Sequence, residues 1–207
     1  MGRLIISENV TLDGVIEDPA GVEGLKHGGW VGRIGDRGRE EAGTIALEEA
    51  LSTAAMLLGR RTYDFLAARW PARSGALADA LNGKPKYVVS STLRDPAWNN
   101  TRVLTGDVVR RVSKLKQEVP GDVIVAGSFQ LAHTLLEHHL VDELRLMFYP
   151  IVVGNGNRLF AATSDKIPQP GRCERPRPPD LRAAQPCCSL TSACRRQLMR
   201  QSLGSIT

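Results

Sequence analysis

The chain has 207 residues, 42% hydrophobic and 24% charged, which fits one globular domain that buries its core without disulfides or metals. It has no apolar run of the roughly 18 residues that a membrane span needs and no signal-peptide pattern at its start, so we expect a cytoplasmic protein without membrane partners. The net charge of +5 comes from residues 166–207, which carry eight Lys and Arg against two acidic residues; this disfavours a nucleic-acid-binding domain, which needs a basic face on a folded module.

Short apolar runs alternate with helical patterns along the chain, which predicts an α/β fold with a mostly parallel central sheet flanked by helices. The predicted strands are Arg3–Ser7, Ala55–Leu58, Lys86–Ser90, Arg102–Leu104, Asp122–Ala126 and Glu143–Tyr149. The predicted helices are Glu40–Thr53, Thr62–Arg69, a segment capped by Asp107 and a segment capped by Ser128.

Two segments depart from this simple alternation. Glu143–Tyr149 alternates apolar and more polar residues, which predicts a strand with one wetter face. The stretch from Gly14 to Gly38 follows the first strand, is rich in glycine and has no clear periodicity. A long loop at this point of an α/β enzyme more often has a functional role than serves only as a connection between elements.

The composition changes abruptly after Ser164. Residues 165–207 are rich in Arg and Pro and contain all four cysteines, without a C-x-x-C pair or a nearby histidine. We therefore expect a domain over residues 1–164, an irregular C-terminal tail over residues 165–207, and no metal site.

Three strand ends carry residues suited to binding phosphate. A predicted strand runs into Gly59, Arg60, Arg61 and Thr62, where glycine allows close approach, a helix N-terminus offers free N–H groups, and arginine pairs with phosphate oxygens. A second strand ends in Ser90 and Ser91, and a third ends in Gly127, Ser128, Phe129 and Gln130. We call each of these strand ends, with the residues that follow it, a corner. Each corner alone is also compatible with an ordinary turn. Three of them in one sheet favour a nucleotide site at the carboxyl edge.

This set of segments resembles the dihydrofolate-reductase-like superfamily, and within it the reductase domain of riboflavin biosynthesis enzymes. The resemblance covers about residues 2–161 and rests on Leu12-Asp13-Gly14, on the three corners, and on Leu140–Arg145 followed by Pro150–Gly156 and Leu159-Phe160. It implies a dihydrofolate-reductase-like fold and an enzyme that binds NADPH and transfers hydride to a pyrimidine- or pteridine-like heterocycle. Since members of the family often dimerise through the sheet, a homodimer is a partner to test for.

The resemblance also implies roles for individual residues. Gly14 and the three corners would hold NADPH, with Ser90-Ser91 at the adenosine 2′-phosphate and Gly127-Ser128 at the pyrophosphate. Asp13 is a candidate for binding substrate, or a turn-forming residue. Trp30 is a candidate aromatic wall for the substrate, and packing is its alternative role. Glu41, with Glu40 beside it, is a candidate substrate carboxylate at the start of a helix, a place where acidic residues are common anyway.

The sequence departs from the family pattern in two places. Ala126 stands where the family usually has glycine. The effect of this change is small, because alanine still leaves the approach to the backbone fairly open. Beyond about Ile167, the Arg-, Pro- and Cys-rich tail replaces the apolar strands with which family members finish. We hypothesise that the reading frame shifts near this residue, which resequencing of the gene would test. A protein of the same fold that binds NADPH without turnover is therefore the main alternative to an active reductase.

Overall fold

The computed structural model describes residues 2–160. The predicted C-terminal tail, with its four cysteines and the site of the hypothesised frameshift, lies outside the described residues. Across residues 2–160 there is no helix long and apolar enough to cross a membrane. The same part of the chain contains no group of three or more His, Cys, Asp or Glu side chains arranged to hold a metal ion.

The core of the molecule is a six-stranded sheet in the order β4-β3-β2-β5-β1-β6, in which every neighbouring pair is parallel. The strands are β1 Leu4–Thr11, β2 Ala55–Gly59, β3 Lys86–Val89, β4 Thr101–Leu104, β5 Val123–Ala126 and β6 Glu143–Tyr149. This confirms the predicted α/β class and all six predicted strands. Strand β1 continues four residues beyond the predicted end at Ser7, because it pairs with β6 as far as Thr11 and Tyr149.

In the described part of the chain, five α-helices cover the sheet: α1 Gly35–Ser52, α2 Arg60–Ala67, α3 Ala76–Gly83, α4 Val108–Glu118 and α5 Phe129–Glu137. The helix α3 was not predicted. The helix α1 begins five residues before the predicted start at Glu40, directly after a short 3₁₀ helix over Trp30–Arg33. Of the two predicted caps, Asp107 accepts a hydrogen bond from the backbone N–H of Arg110. Ser128 stands at the cap position of α5 but makes no such bond there.

Two apolar clusters lie on the two faces of the sheet. The larger one joins β1, β5 and β6 to α4 and α5, through side chains such as Ile6, Val125 and Leu135. The smaller one joins β2 and β3 to Tyr63 and Trp98. The edge strand β6 only partly follows the predicted alternation, because Tyr149, expected on its wetter face, is buried.

The smaller cluster contains a buried ammonium group, that of Lys86. Its Nζ donates to the carbonyl oxygens of Asn82, Lys84 and Asn99 at 3.0, 2.7 and 3.2 Å, and it lies 4.3 Å from the centre of the Trp98 ring. Burial, and then the charge of Lys84, lower the pKa of Lys86 to about 8. This lysine ties the end of α3 to the start of β3 and to the loop before β4.

Replacing Lys86 with Met should leave these three carbonyl oxygens without their donor. We expect a loss of about 2–3 kcal/mol in the free energy of unfolding, measured by urea denaturation at neutral pH. The matched control is Lys114→Met, since Lys114 is exposed and makes only a surface ion pair with Glu118. The control should change stability by no more than about 0.5 kcal/mol. Equal effects of the two substitutions would contradict the role assigned to Lys86.

Candidate active site at the carboxyl edge of the sheet

A cavity of about 770 Å³ opens at the carboxyl ends of the central strands. Its base is formed by the ends of β2 and β5, at Gly59 and Ala126, and by residues 7–9 of β1, which begin level with the end of β5. Residues of α1, α2, α5 and β6 and of the loop after β1 form its other walls. In open parallel sheets this edge is where ligands bind, because the strand–helix loops meet there.

The loop that covers the cavity is organised by the carboxylate of Asp18. Its two oxygens accept hydrogen bonds from the backbone N–H groups of Val22, Glu23 and Leu25, at 2.7, 3.0 and 3.1 Å. Burial acts to raise the pKa of Asp18, but these hydrogen bonds outweigh it and lower the pKa. The glycine-rich stretch after the first strand is therefore an ordered cavity wall, as its position suggested.

Two of the three predicted phosphate corners are joined directly by the hydroxyl group of Ser128. Its Oγ accepts a hydrogen bond from the backbone N–H of Gly59 at 2.9 Å and donates to Oγ1 of Thr62, also at 2.9 Å. The strand–helix junctions β2–α2 and β5–α5 therefore form one continuous surface of the cavity.

The backbone of this junction requires Gly127. Both Gly127 and Ser128 have left-handed backbone angles, with φ of 61° and 68°. A Cβ atom on Gly127 would lie 3.3 Å from both Cγ2 and Oγ1 of Thr62. The sharp turn and the close approach of Thr62 each favour glycine at this position.

The joined corners have the properties of an anion site. Neither α2 nor α5 has a side chain that caps its first turn, so N–H groups at both helix N-termini remain available to a ligand. Arg60 and Arg61 line the same part of the cavity. Arg60 pairs with Asp64 at 2.7 Å and Arg61 with Glu23 at 3.2 Å, and exposed ion pairs of this kind are weak enough to exchange for a phosphate.

The cavity brings together eight of the predicted site residues and leaves six outside its walls. Those that line it are Gly59, Arg60, Arg61, Thr62, Gly127, Ser128, Phe129 and Gln130. Those that do not are Asp13, Gly14, Trp30, Glu41, Ser90 and Ser91.

Trp30 is not an exposed wall of the cavity, and this expectation is corrected. Its side chain is fully buried, and its Nε1 donates to the backbone oxygen of Glu17 at 3.0 Å. Its ring packs edge-on against Tyr149, with ring centres 5.2 Å apart, and it is Tyr149 that lines the cavity. Burial of the large indole under the loop stabilises the fold more than exposure at a pocket would.

Asp13 and Gly14 form a structural turn. The carboxylate of Asp13 accepts hydrogen bonds from Oγ1 of Thr11 and from the backbone N–H groups of Val153 and Gly154, at 2.7, 3.2 and 2.8 Å. Burial acts to raise the pKa of Asp13, and these hydrogen bonds together lower it. With its oxygens occupied in this way, Asp13 fits the turn-forming alternative better than a substrate contact.

Glu41 also lies outside the cavity. Because α1 begins at Gly35, Glu41 falls in the second turn of the helix, where its Oε1 accepts from Nε of Arg37 at 3.1 Å. The carboxylate that α1 does present to the cavity is that of Glu49, which is paired with Arg145 at 3.3 Å. Burial raises the pKa of Glu49, although a hydrogen bond from Ser7 and the charge of Arg145 oppose the rise.

The third corner lies beside the cavity. The Oγ of Ser90 accepts from the backbone N–H groups of Thr92 and Leu93, at 3.2 and 3.0 Å, and Ser91 is exposed. The corner approaches the cavity through Thr92, whose Oγ1 lies 3.4 Å from a guanidinium nitrogen of Arg60. The two serines themselves do not line the cavity.

One cavity residue that sequence reasoning missed is Glu8, on β1. Its side chain is only 8% exposed, and its Oε1 has no hydrogen-bond partner among residues 2–160. Burial raises the pKa of Glu8 to about 8. The signal was present in the sequence: Glu8 shares its strand face with Ile6 and Val10, where an apolar residue is the rule.

Comparison with known proteins agrees with this architecture. The model of the RibD C-terminal domain family matches residues 3–170, so the chain belongs to this family, whose members are reductase-type proteins of the dihydrofolate-reductase-like fold. The uncharacterised protein YyaP of Bacillus subtilis strain 168 is 29% identical over 170 residues, which cover 80% of this chain and 84% of YyaP. A crystal structure from Shewanella sp. PV-4, provisionally named as a riboflavin biosynthesis protein, superposes with a TM-score of 0.59 at 21% identity. That superposition covers 79% of this chain and 86% of the other, and it supports the fold.

Replacing Gly127 with Ala should damage the joined corner. The left-handed backbone and the approach of Thr62 should together lower the free energy of unfolding by about 1–2 kcal/mol. The measurement is thermal or urea unfolding, with Gly83→Ala as control because a Cβ there meets nothing within 4 Å. A Gly127→Ala protein as stable as the control would contradict the proposed strain.

Glu8 should make the stability of the protein depend on pH. Because its pKa rises from 4.5 to about 8 on folding, its contribution is fully present below pH 4.5 and is lost as the pH rises towards 8. We expect the free energy of unfolding to fall by a few kcal/mol across this interval, roughly as the pKa shift dictates. In Glu8→Gln that fall should be absent. Parallel pH profiles of the two proteins, measured by urea denaturation, would contradict the assignment.

Proposed function

We propose that this protein is an NADPH-dependent reductase that transfers hydride to a pyrimidine- or pteridine-like heterocycle. The observation that carries the proposal is the joined corner, in which the Ser128 hydroxyl holds the starts of α2 and α5 together at the edge of one large cavity. Membership of a reductase-type family supports the same conclusion.

The residues at the joined corner fit the phosphates of a dinucleotide. Backbone N–H groups at the starts of α2 and α5 would bind the pyrophosphate, as helix N-termini commonly do. The guanidinium of Arg60 would bind the 2′-phosphate that distinguishes NADPH from NADH, with Thr92 and the neighbouring Ser90-Ser91 beside it. When bound, the nicotinamide supplies the hydride.

The cavity walls supply the remaining requirements of a reductase. Its volume of about 770 Å³ lies in the upper part of the range usual for ligand sites, which allows a planar heterocycle to lie beside a cofactor ring. Apolar side chains from β6, α5 and the covering loop, among them Met147, Leu131 and Ile16, line it. Such walls exclude water and orient the two reactants, which is most of what the protein contributes to hydride transfer.

Preference for NADPH over NADH should depend on Arg60 and Arg61. We expect Arg60→Gln and Arg61→Gln to weaken NADPH binding by about tenfold each, and NADH binding by much less, since each guanidinium makes a charge-assisted contact of about 1.5–3 kcal/mol with phosphate. Titration calorimetry of both cofactors measures this. Arg73→Gln is the matched control, because Arg73 is exposed and stacks on Trp70 away from the cavity.

Equal affinity of the unmodified protein for NADPH and NADH would contradict the NADPH assignment. Turnover is a separate test. NADPH oxidation with the ribosylaminopyrimidine of riboflavin synthesis, or with dihydrofolate, supports a reductase. Tight NADPH binding with no oxidation of cofactor by either compound supports the alternative of a protein that binds the cofactor without turnover.

A further inference from the structure

Three consecutive polar residues of β1, Ser7, Glu8 and Asn9, line the base of the cavity. The hydroxyl group of Ser7 donates a hydrogen bond to Glu49. The side chain of Glu8 lies on the opposite face of the strand, and its Oε1 is shielded from solvent. Asn9 differs from both, because its side-chain amide makes no hydrogen bond within residues 2–160.

Both polar atoms of the Asn9 amide are open to solvent. Among the buried and half-buried residues in 2–160, Oε1 of Glu8 is the only side-chain nitrogen or oxygen atom that is both shielded from solvent and unpaired. Asn9 is half-buried, and its Oδ1 and Nδ2 are unpaired, so each of these two atoms must be in contact with solvent. A ligand in the cavity that Asn9 lines can therefore reach them.

The direction of the Asn9 side chain follows from the strand register. Asn9 pairs with Met147 on β6, two residues beyond the pair of Ser7 and Arg145, so these four side chains lie on one face of the sheet. Ser7 and Arg145 both bind Glu49, which identifies this face as the one that α1 covers. Because Glu49 and Met147 also line the cavity, the amide of Asn9 is directed into the space between β1 and α1.

The order of the strands relates Asn9 to the proposed cofactor. The corner that ends β3 comes first, the joined corner of β2 and β5 comes next, and β1 follows on the other side of β5. Strand β5 ends at Ala126, level with Ser7, so Asn9 lies on β1 beyond the joined corner. A dinucleotide with its 2′-phosphate towards β3 and its pyrophosphate at the joined corner would extend its nicotinamide towards β1. Asn9 is then close to the two reacting rings.

The chemistry of the amide defines the kind of ligand that it can recognise. An asparagine side chain offers a carbonyl acceptor beside an N–H donor, and it binds nucleic-acid bases through paired hydrogen bonds of this kind. The complementary group is an amide edge, in which an N–H group stands next to a carbonyl oxygen. A ligand that covers Asn9 without such a pair removes the amide from solvent and leaves it unbonded, which lowers affinity.

We propose that Asn9 is a specificity-determining residue, whose side-chain amide forms a pair of hydrogen bonds with an amide edge of the ligand bound in the cavity. The inference rests on the proposed function, which offers two sources of such an edge. One is the carboxamide of the nicotinamide, and the other is the ring amide of a pyrimidine or pteridine substrate. Both present the same donor and acceptor.

Three variants of the full chain test this role. Asn9→Leu has nearly the same size but neither donor nor acceptor. Asn9→Asp has nearly the same shape, and its carboxylate has acceptors only. Asn99→Leu is the matched control, because Asn99 is exposed, lies outside the cavity and uses only its backbone oxygen to bind Lys86.

The measurement is calorimetric binding of two matched pairs of probes at about pH 6.5, where an aspartate is ionised. NADPH carries the carboxamide, and adenosine 2′,5′-bisphosphate shares its phosphates but lacks the nicotinamide. Lumazine offers ring amides, and 1,3-dimethyllumazine keeps the ring and both carbonyl oxygens but has no ring N–H group. The two lumazines are added to the NADP⁺-saturated protein.

We expect Asn9→Leu to bind one of the amide-bearing probes about tenfold more weakly than the unmodified protein does, since two hydrogen bonds are lost. Asn9→Asp should weaken the same probe, and Asn99→Leu should not. If the edge belongs to the substrate, lumazine is affected and 1,3-dimethyllumazine is nearly unaffected. If it belongs to the cofactor, NADPH is affected and adenosine 2′,5′-bisphosphate is not. A merely structural role of Asn9 would not discriminate between the members of a pair.

The proposal is overturned if Asn9→Leu, shown to be folded by thermal unfolding, binds NADPH with unchanged affinity and lumazine either does not bind or binds equally well to both proteins. It is also overturned if both members of a pair are weakened equally. Should Asn9→Leu not fold, the same comparisons with Asn9→Asp decide the question.

Failure of the proposed function looks different. In that case NADPH and adenosine 2′,5′-bisphosphate do not bind to any of the proteins, whereas an Asn9-dependent preference for lumazine over 1,3-dimethyllumazine, titrated without NADP⁺, would preserve the role of Asn9. Normal cofactor binding without any dependence on Asn9 would preserve the reductase proposal alone.

Discussion

The hydroxyl group of Ser128 is the contact on which the geometry of the cavity depends. It accepts from the backbone of Gly59 and donates to Thr62, so that two strand–helix junctions separated by nearly seventy residues share one surface. The left-handed turn at Gly127-Ser128 aims the hydroxyl at its partners. Strands β2 and β5 are neighbours in the sheet, so the two junctions lie side by side, and this contact joins the starts of α2 and α5 into one site suited to a phosphate.

Strand β1 separates two kinds of carboxyl group across the sheet. On one face, Ser7 and Arg145 hold the carboxylate of Glu49 by a hydrogen bond and an ion pair. On the other face, Oε1 of Glu8 has neither kind of partner within residues 2–160, and burial raises the pKa of Glu8 to about 8. Alternation along β1 thus turns Ser7 towards the paired acid of α1, and Glu8 towards the opposite face of the sheet. Burial raises the pKa of both carboxyl groups, and carboxyl groups with shifted pKa values are a recurring property of functional sites.

Much of the fold was predictable, because continuous apolar runs identify buried parallel strands directly. Each error has an identifiable physical cause. Helix α3 has the sequence Ala-Leu-Ala-Asp-Ala-Leu-Asn-Gly, which is too short for a clear period. The start of α1 contains Gly35 and Gly38, residues of low helix propensity that suggested a loop. The extension of β1 to Thr11 depends on pairing with β6, a contact between residues far apart in sequence.

The sequence by itself determined the six strands, four of the five helices in residues 2–160, the residues of the two joined corners and the resemblance to a reductase family. These follow from local patterns of apolar residues, glycines and helix starts, which are properties of short segments. Only the tertiary structure decided which candidate side chains face the cavity. In the structure, Trp30 is buried behind Tyr149, and the carboxylate of Asp13 accepts hydrogen bonds from backbone N–H groups. Glu49 and Glu8 line the cavity, whereas Glu41 lies outside it. The direction of a side chain depends on the helix start, the strand register and the long-range packing, none of which a single segment specifies.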